Sequence, residues 1–510
     1  ANSEKILNVR ADITDRNGVL LATSLPTAAL YANPQHVIDQ KEAVRKLSHV
    51  LKDIDIKTLE EKLSSDRTFE WIDRKLTPKL TYAVNALGIP GLYFKGTEQR
   101  VYPHGRLVSH VLGMTNIDGV GQGGVEGYFD NQLRQLREPL RLTIDIRIQA
   151  MMRHELSVAI KEYKAIGAVG ICLDVNTGEV ISMVSLPDFN PNKRSTAAGM
   201  ANFNRATLGI YEMGSTLKLF TAAIALDTGR VNLKDRYDAR KPFKVSKRYT
   251  ISDYHGKNRW LSVPEIIAYS SNIGAAKIAQ KIGPFNQKLY LKRFGLLSAS
   301  NIELVEVGAP LAPHQWRELQ TMTIGYGYGV AISPLQLSAG IGALVNGGIL
   351  RDATLLKSDR DVDIPGKRVV SPKTSQKIRK LMRLVVRKGT GKKADVPGYF
   401  VGGKTGTAEK SGVNRRGYQD RRLISSFIAS FPTDKPRYVI LALLDEPKGN
   451  NATNGYATGG WTAAPLVQKI IRKMAPIIGI APSTIAEKEI KPGDSFYITE
   501  AKRSRRESTS

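Results

Sequence analysis

Short strand-like stretches and longer helix-like ones are marked along the chain by the spacing of their apolar positions. Residues 9–14 and 19–22 alternate around Asp15-Arg16-Asn17-Gly18, and an Asn-Gly pair between such arms predicts a hairpin over 9–24. Residues 167–174 and 179–186 alternate around Asn176-Thr177-Gly178 and predict a second hairpin. Three more strands are expected over 399–409, 423–431 and 438–444. Over 41–52 the helical period places Val44, Leu47, Val50 and Leu51 on one face. Thr77 as N-cap with Pro78 at the first position starts a helix that should stop at Gly88. Asp145 can cap a helix running to about Tyr163, just after Leu142-Thr143-Ile144 opens a second domain; the apolar run from Leu219 to Leu226 and the stretch 463–474 predict two more helices. Paired strands with helices between them predict a mixed α/β (α+β) fold, an antiparallel sheet between helical layers. Beyond Pro482 no periodicity is visible, and a loose tail is expected.

Composition narrows this picture. A chain of 510 residues with 42% hydrophobic content has room for two or three domains with a large core. Its single cysteine, Cys172, allows no intrachain disulfide and lies in an apolar run, as a buried core thiol would. A net charge of +28 favours anionic partners. No zinc-finger spacing, aromatic RNA-binding pattern or heptad repeat accompanies it, so nucleic acid is not expected as a partner, and a basic protein working beside a bilayer is the better account. The basic cluster Lys502-Arg503-Ser504-Arg505-Arg506 reads as solvated tail. No run approaches eighteen apolar residues and no signal peptide opens the chain.

Chemistry enters at Met213-Gly214-Ser215-Thr216-Leu217-Lys218. Positions three apart share a helical face, so Ser215 and Lys218 can touch if a helix begins near Gly214. Serine needs a base to become a nucleophile, and lysine serves as one when burial lowers its pKa; the apolar flank from Leu217 to Ala223 would supply that burial. Ser215 is the one serine of the chain with a lysine three residues on. Ser270-Ser271-Asn272 follows, and then Lys404-Thr405-Gly406-Thr407. Each motif alone is common; the ordered trio S-x-x-K, S-x-N and K-T-G is the signature of β-lactamases and penicillin-binding proteins. No metal spacing is visible, and no cofactor is expected. Of seven histidines none pairs with a catalytic serine, and His255, nearest the S-x-N, reads as a solvated loop residue.

With this trio the chain resembles the class B penicillin-binding proteins. The likeness extends through Arg10-Ala11-Asp12-Ile13-Thr14-Asp15-Arg16-Asn17-Gly18, Arg100-Val101-Tyr102-Pro103, residues 121–128, Ser333-Pro334-Leu335-Gln336-Leu337 and Gly389-Thr390-Gly391. Lys435-Pro436-Arg437-Tyr438 and Gly460-Trp461-Thr462-Ala463-Ala464-Pro465 look more like the division-specific, septal type than the elongation type. The resemblance implies an elongated, β-rich pedestal of dimerisation type over 1–140, a transpeptidase domain over 141–480 built on a five-stranded antiparallel sheet, and a basic flexible tail over 481–510. It implies Ser215 as nucleophile, Lys218 as base and Ser270 as proton relay. Asn272, Lys404, Thr405, Gly406 and Thr407 would bind substrate, the backbone N–H groups of Ser215 and Thr407 would form the oxyanion hole, and Tyr418 would stand in a loop beside the site. The implied partners are peptidoglycan stem peptides, β-lactams, a membrane glycosyltransferase and other divisome proteins. One membrane anchor ahead of Ala1 would hold the catalytic domain on the periplasmic side of a bacterial inner membrane. A D,D-carboxypeptidase or β-lactamase-like hydrolase, and a non-catalytic sensor or scaffold, are the alternatives that the same motifs leave open.

Overall fold

The computed structural model describes residues 9–247, 249–358, 364–410, 422–483 and 494–498, and Tyr418 lies outside them. The chain divides into two compact units, one formed by residues up to 14, 18–105 and 112–141, the other by 15–17, 106–111 and everything from Leu142 onward.

The first unit is built on five strands: β1 (Ile13–Thr14), β2 (Leu20–Ala32), β3 (Glu70–Leu76), β4 (Leu92–Val101) and β5 (Leu140–Arg141). The order runs β3-β2-β1-β5, with β4 also paired to β2. The expected hairpin exists, but its first arm pairs over two residues only. The reason is competition: the Ala11 N–H donates to Leu133 O and Asp12 O accepts from Leu140 N–H, so the arm is shared with other segments. β2 runs on to Ala32, well past the expected end. Helices α1 (Gln40–Val50), α2 (Ile56–Leu63) and α3 (Pro78–Asn85) are each capped by the side chain that precedes them, Asp39, Asp55 and Thr77. They bury Leu47, Leu59 and Val84 with Leu30 and Ile72 of the sheet. Three of the family-like strings meet inside this unit. Fully buried Glu126 accepts from Arg10 Nε at 2.6 Å and from Arg100 Nε at 2.7 Å.

The second unit carries α4 (Ile146–Tyr163), β6 (Gly167–Asp174), β7 (Val180–Leu186), α5 (Lys218–Asp227), α6 (Val263–Tyr269), α7 (Asn272–Ile282), α8 (Pro334–Val345), α9 (Pro372–Lys388), β8 (Gly402–Glu409), β9 (Leu423–Phe431), β10 (Tyr438–Asp445) and α10 (Ala463–Ile477). The strands form one antiparallel sheet in the order β8-β9-β10-β6-β7. α4 and α10 cover one face through Met152, Leu156, Val467, Ile470 and Met474; α8 and α9 pack on the other. Cys172 is fully buried in that sheet, 3.7 Å from Met474 Sδ, and burial pushes its thiol pKa up. β8 begins at Gly402, not at the expected Tyr399, because Tyr399 N–H turns back to Val396 O. In the stretch expected to be a loose tail, Ile498 is buried against Ala268 and Leu384, and Lys380 Nζ lies 5.3 Å above the Phe496 ring. The sheet-between-helices class expected from the pattern stands, and β8 is its edge strand.

Candidate active site

The edge strand β8, the start of α5 and the corner between α6 and α7 bring the three motifs into one cleft of about 850 Å³. Each local fold has a reason. Gly214 opens a short 3-10 turn that leads into α5, with φ at +54°. A Cβ there would run into the Thr407 carbonyl, and one at Gly327 into the Gly214 carbonyl, so glycine is required at both for this close approach. α6 starts on a capping box between Ser262 and Glu265 and ends at Ser270, which is left-handed at φ 60°. α7 starts at once on Ser271, whose hydroxyl accepts from Gly274 N–H. Two helices joined by so short a corner turn the Ser270 and Asn272 side chains toward Lys218. A left-handed serine costs about 1 kcal/mol, and such strain gathers at functional sites.

Lys218 is wholly buried, while Ser215 is partly exposed. Its Nζ lies 3.0 Å from Ser215 Oγ, 3.1 Å from Ser270 Oγ, 2.6 Å from Ser270 O and 2.7 Å from Asn272 Oδ1. The last two partners only accept, since Asn272 Nδ2 already donates to Ser252 O at 3.0 Å. A neutral amine has two N–H donors for those two acceptors and one lone pair left for a serine hydroxyl. The partner set thus suits the neutral form. Desolvation lowers the Lys218 pKa to about 7, against an opposing pull from Asp253. Lys404, also wholly buried, reaches Ser270 Oγ at 2.9 Å and Thr405 Oγ1 at 3.2 Å. Desolvation pushes its pKa well down, and the Lys218 charge adds to this. Lys218 and Lys404 thus share the Ser270 hydroxyl between them.

Ser215, Lys218, Ser270, Asn272, Lys404 and Thr405 are therefore within one hydrogen-bonded group. Thr407 lines the same cleft, and its hydroxyl accepts from Gly459 N–H at 3.1 Å. Gly406 is buried, and a Cβ there would meet Ser426 Oγ and Met213 O. Thr390, singled out in the sequence only as part of a matching string, bonds Thr405 Oγ1 at 2.9 Å. His255 is exposed in a loop as expected, yet it lines the cleft, with Tyr254 on one side and Tyr456 6.4 Å away.

Several cleft residues carried no signal in the sequence. Asp253 accepts from Ser271 Oγ at 2.8 Å, Asn272 N at 2.6 Å and Ile273 N at 3.0 Å, fixing the start of α7. It is nearly twenty residues upstream, a spacing that no local periodicity marks. Tyr328 and Glu409 line the cleft, and Lys393 stands 3.5 Å over the Trp461 ring on its wall. Among the described residues no group of three His, Cys, Asp or Glu side chains is arranged to hold a metal, and no helix is long and apolar enough to cross a membrane.

Comparison with known proteins identifies the domains that carry these elements. Residues 168–472 match the model of the penicillin binding protein transpeptidase domain, and residues 5–137 match that of the penicillin-binding protein dimerisation domain. A Caulobacter vibrioides protein named probable peptidoglycan D,D-transpeptidase FtsI is 40% identical, over 94% of this chain and 83% of its own length. The transpeptidase domain of Burkholderia pseudomallei penicillin-binding protein 3 is 32% identical with a TM-score of 0.60, covering 68% of this chain and 98% of that one. A peptidoglycan synthetase from Bifidobacterium adolescentis shares the fold at a TM-score of 0.74 and 21% identity, over 94% of this chain and 97% of that one.

Proposed function

The chain belongs to the penicillin-binding proteins of class B, peptidoglycan D,D-transpeptidases with a dimerisation domain ahead of the catalytic one, and from that premise we propose how its residues carry the reaction. The enzyme cross-links peptidoglycan stem peptides by acyl transfer and is itself acylated by β-lactams. Neutral Lys218 takes the proton of Ser215 as Oγ attacks the carbonyl between two D-alanines. Backbone N–H groups of Ser215 and Thr407 hold the developing oxyanion, worth about 3 kcal/mol per donor in comparable sites. The proton passes through Ser270 to the leaving amine, the C–N bond breaks, and D-alanine departs from an ester on Ser215. Lys404, Thr405 and Thr390 hold the terminal carboxylate, and Asn272 holds the amide of the donor. An amine of a second stem then attacks the ester, gives its proton back along the same path, and frees Ser215.

One observation carries this assignment: a buried lysine within hydrogen-bond range of two serines, with acceptors that its neutral form satisfies. Intact-mass measurement with benzylpenicillin tests it. A stable adduct is expected on the wild type and none on Ser215→Ala at an unchanged melting temperature; an equal adduct on Ser215→Ala would move the nucleophile elsewhere. The likeness to a septal relative supports a role in division, beside a membrane glycosyltransferase and other divisome proteins. It also supports single-pass anchoring in the inner membrane with the cleft on the periplasmic side.

A further inference from the structure

Residues 230–260 hold ten lysines and arginines, against 75 in the 510 residues overall, and only three aspartates. They form a lobe of the second unit. Arg236–Asp238 pairs antiparallel with Trp260–Ser262, and Phe243–Lys244 with Thr250–Ile251; α7 packs against a strand of each pair. Ring faces hold several of the cations in place. Arg240 Cζ lies 5.9 Å from the Trp260 ring, Lys277 Nζ 4.9 Å from the Phe243 ring and Lys281 Nζ 5.2 Å from the Tyr237 ring. Lys277 and Lys281 are four residues apart on α7 and so share its face. Arg236 Nη2 donates to Trp260 O at 3.1 Å. Basic and aromatic side chains thus interleave across this surface. The lobe's ion pairs, Arg240 with Asp238 and Arg259 with Glu265, leave exposed Lys241, Lys244 and Lys247 with no carboxylate partner among the described residues. An excess of one charge on one surface suits a polyanion.

Two observations choose among polyanions. The lobe borders the cleft: Asp253 and Tyr254 belong to it and line the cleft, and α7, which carries Lys277 and Lys281, starts at Asn272. It also offers little to a bilayer. Val231, Leu233 and Ile251 are buried, and the large apolar side chains it exposes are Tyr254 and Trp260, at 64% and 45%. A surface seated in a membrane presents a continuous apolar face for insertion. The polymer that reaches this cleft is anionic, since every uncross-linked stem ends in a carboxylate and stems repeat along a glycan. We infer that the lobe over 230–260 holds a peptidoglycan strand outside the cleft through the carboxylates of its stems, an inference that rests on the transpeptidase reading of the cleft. A strand retained there keeps its other stems close to Ser215 and raises their effective concentration at the acyl-enzyme.

Co-sedimentation of the full chain with purified sacculi tests this, with Ser215 first esterified by benzylpenicillin so that the cleft takes no stem. The wild type is expected to pellet at about 50 mM salt and to lose about tenfold in affinity by about 300 mM, as screening of exposed charges requires. The triple variant Lys241→Gln/Lys244→Gln/Lys247→Gln should bind about tenfold more weakly at the lower salt, while benzylpenicillin acylates it at the wild-type rate. Sacculi whose carboxylates have been amidated with glycinamide should not retain the wild type, an arm that needs no variant. No pelleting at low salt, wild-type binding by the triple variant, or retention on amidated sacculi overturns the inference. So does tighter binding to vesicles of phosphatidylethanolamine with about a quarter phosphatidylglycerol, which would give the lobe to a bilayer. If benzylpenicillin fails to acylate the wild type at Ser215, the transpeptidase reading itself falls, which is a different failure from a lost hold on the polymer.

Discussion

Replacing Lys218 by arginine separates charge from basicity at one position. Burial brings the lysine pKa from 10.5 to about 7, so close to half of the amine is neutral at pH 7. An unburied lysine would be neutral in roughly one molecule of 3,000 at that pH, since each pKa unit is a factor of ten; the difference amounts to about 5 kcal/mol of desolvation turned into usable base. Arginine keeps the positive charge and the donors but stays protonated at every working pH. General-base assistance is worth about 10²–10⁴ in rate, so Lys218→Arg should slow acylation by at least a hundredfold. Stopped-flow acylation by a fluorescent penicillin from pH 5 to 9 reads both effects. The sign follows from which form is active: the neutral amine grows as pH rises, so the wild-type rate climbs about tenfold per unit below pH 7 and levels above it. The arginine variant should be slow and flat across the range, with thermal melts showing it folded. A wild-type rate that does not change between pH 5 and 9, or an arginine variant within tenfold of the wild type, would refute the base assignment.

Asp253 pulls the Lys218 pKa upward, so Asp253→Asn should move the acid limb of the same profile below pH 7 while keeping an acceptor for the start of α7; an unmoved or raised limb would count against that electrostatic role. In the first unit, Glu126→Gln leaves Arg10 and Arg100 buried around a neutral amide, and a loss of about 3–5 kcal/mol is expected by urea unfolding. A loss under 1 kcal/mol would mean that water or neighbouring carbonyls already satisfy the two guanidinium groups.

Much of the second unit could be read from its residues, because local chemistry and tertiary demand coincide there. Asp145 caps α4, and the strands of the central sheet alternate or run apolar between clear turns, as in the first unit Thr77 and Pro78 start α3. Other elements were hidden by competing signals. β2 passes through Pro26 and a Thr-Ala-Ala run with weak strand preference, and its pairing with β4 over ten positions and with β3 on its other side holds it extended. β4 itself contains Lys95-Gly96, which reads as a break. In the cleft, Ser215, Lys218, Ser270, Asn272 and Lys404 were visible because motif spacing survives in a linear string. Asp253 and Tyr328 were not: they reach the cleft from a loop and a helix end whose sequence carries no period, and only the folded chain brings them there.

The lone thiol of Cys172 gives the protein its own opening gauge. It sits on β6, an inner strand of the sheet, beside Met474, closed off from solvent and held protonated by its surroundings. A maleimide dye can therefore couple only to molecules whose central layers have come apart, and its uptake in native buffer clocks that event without any engineered reporter. A drug that seals the distant serine as an ester should slow the clock to the extent that it ties those layers together.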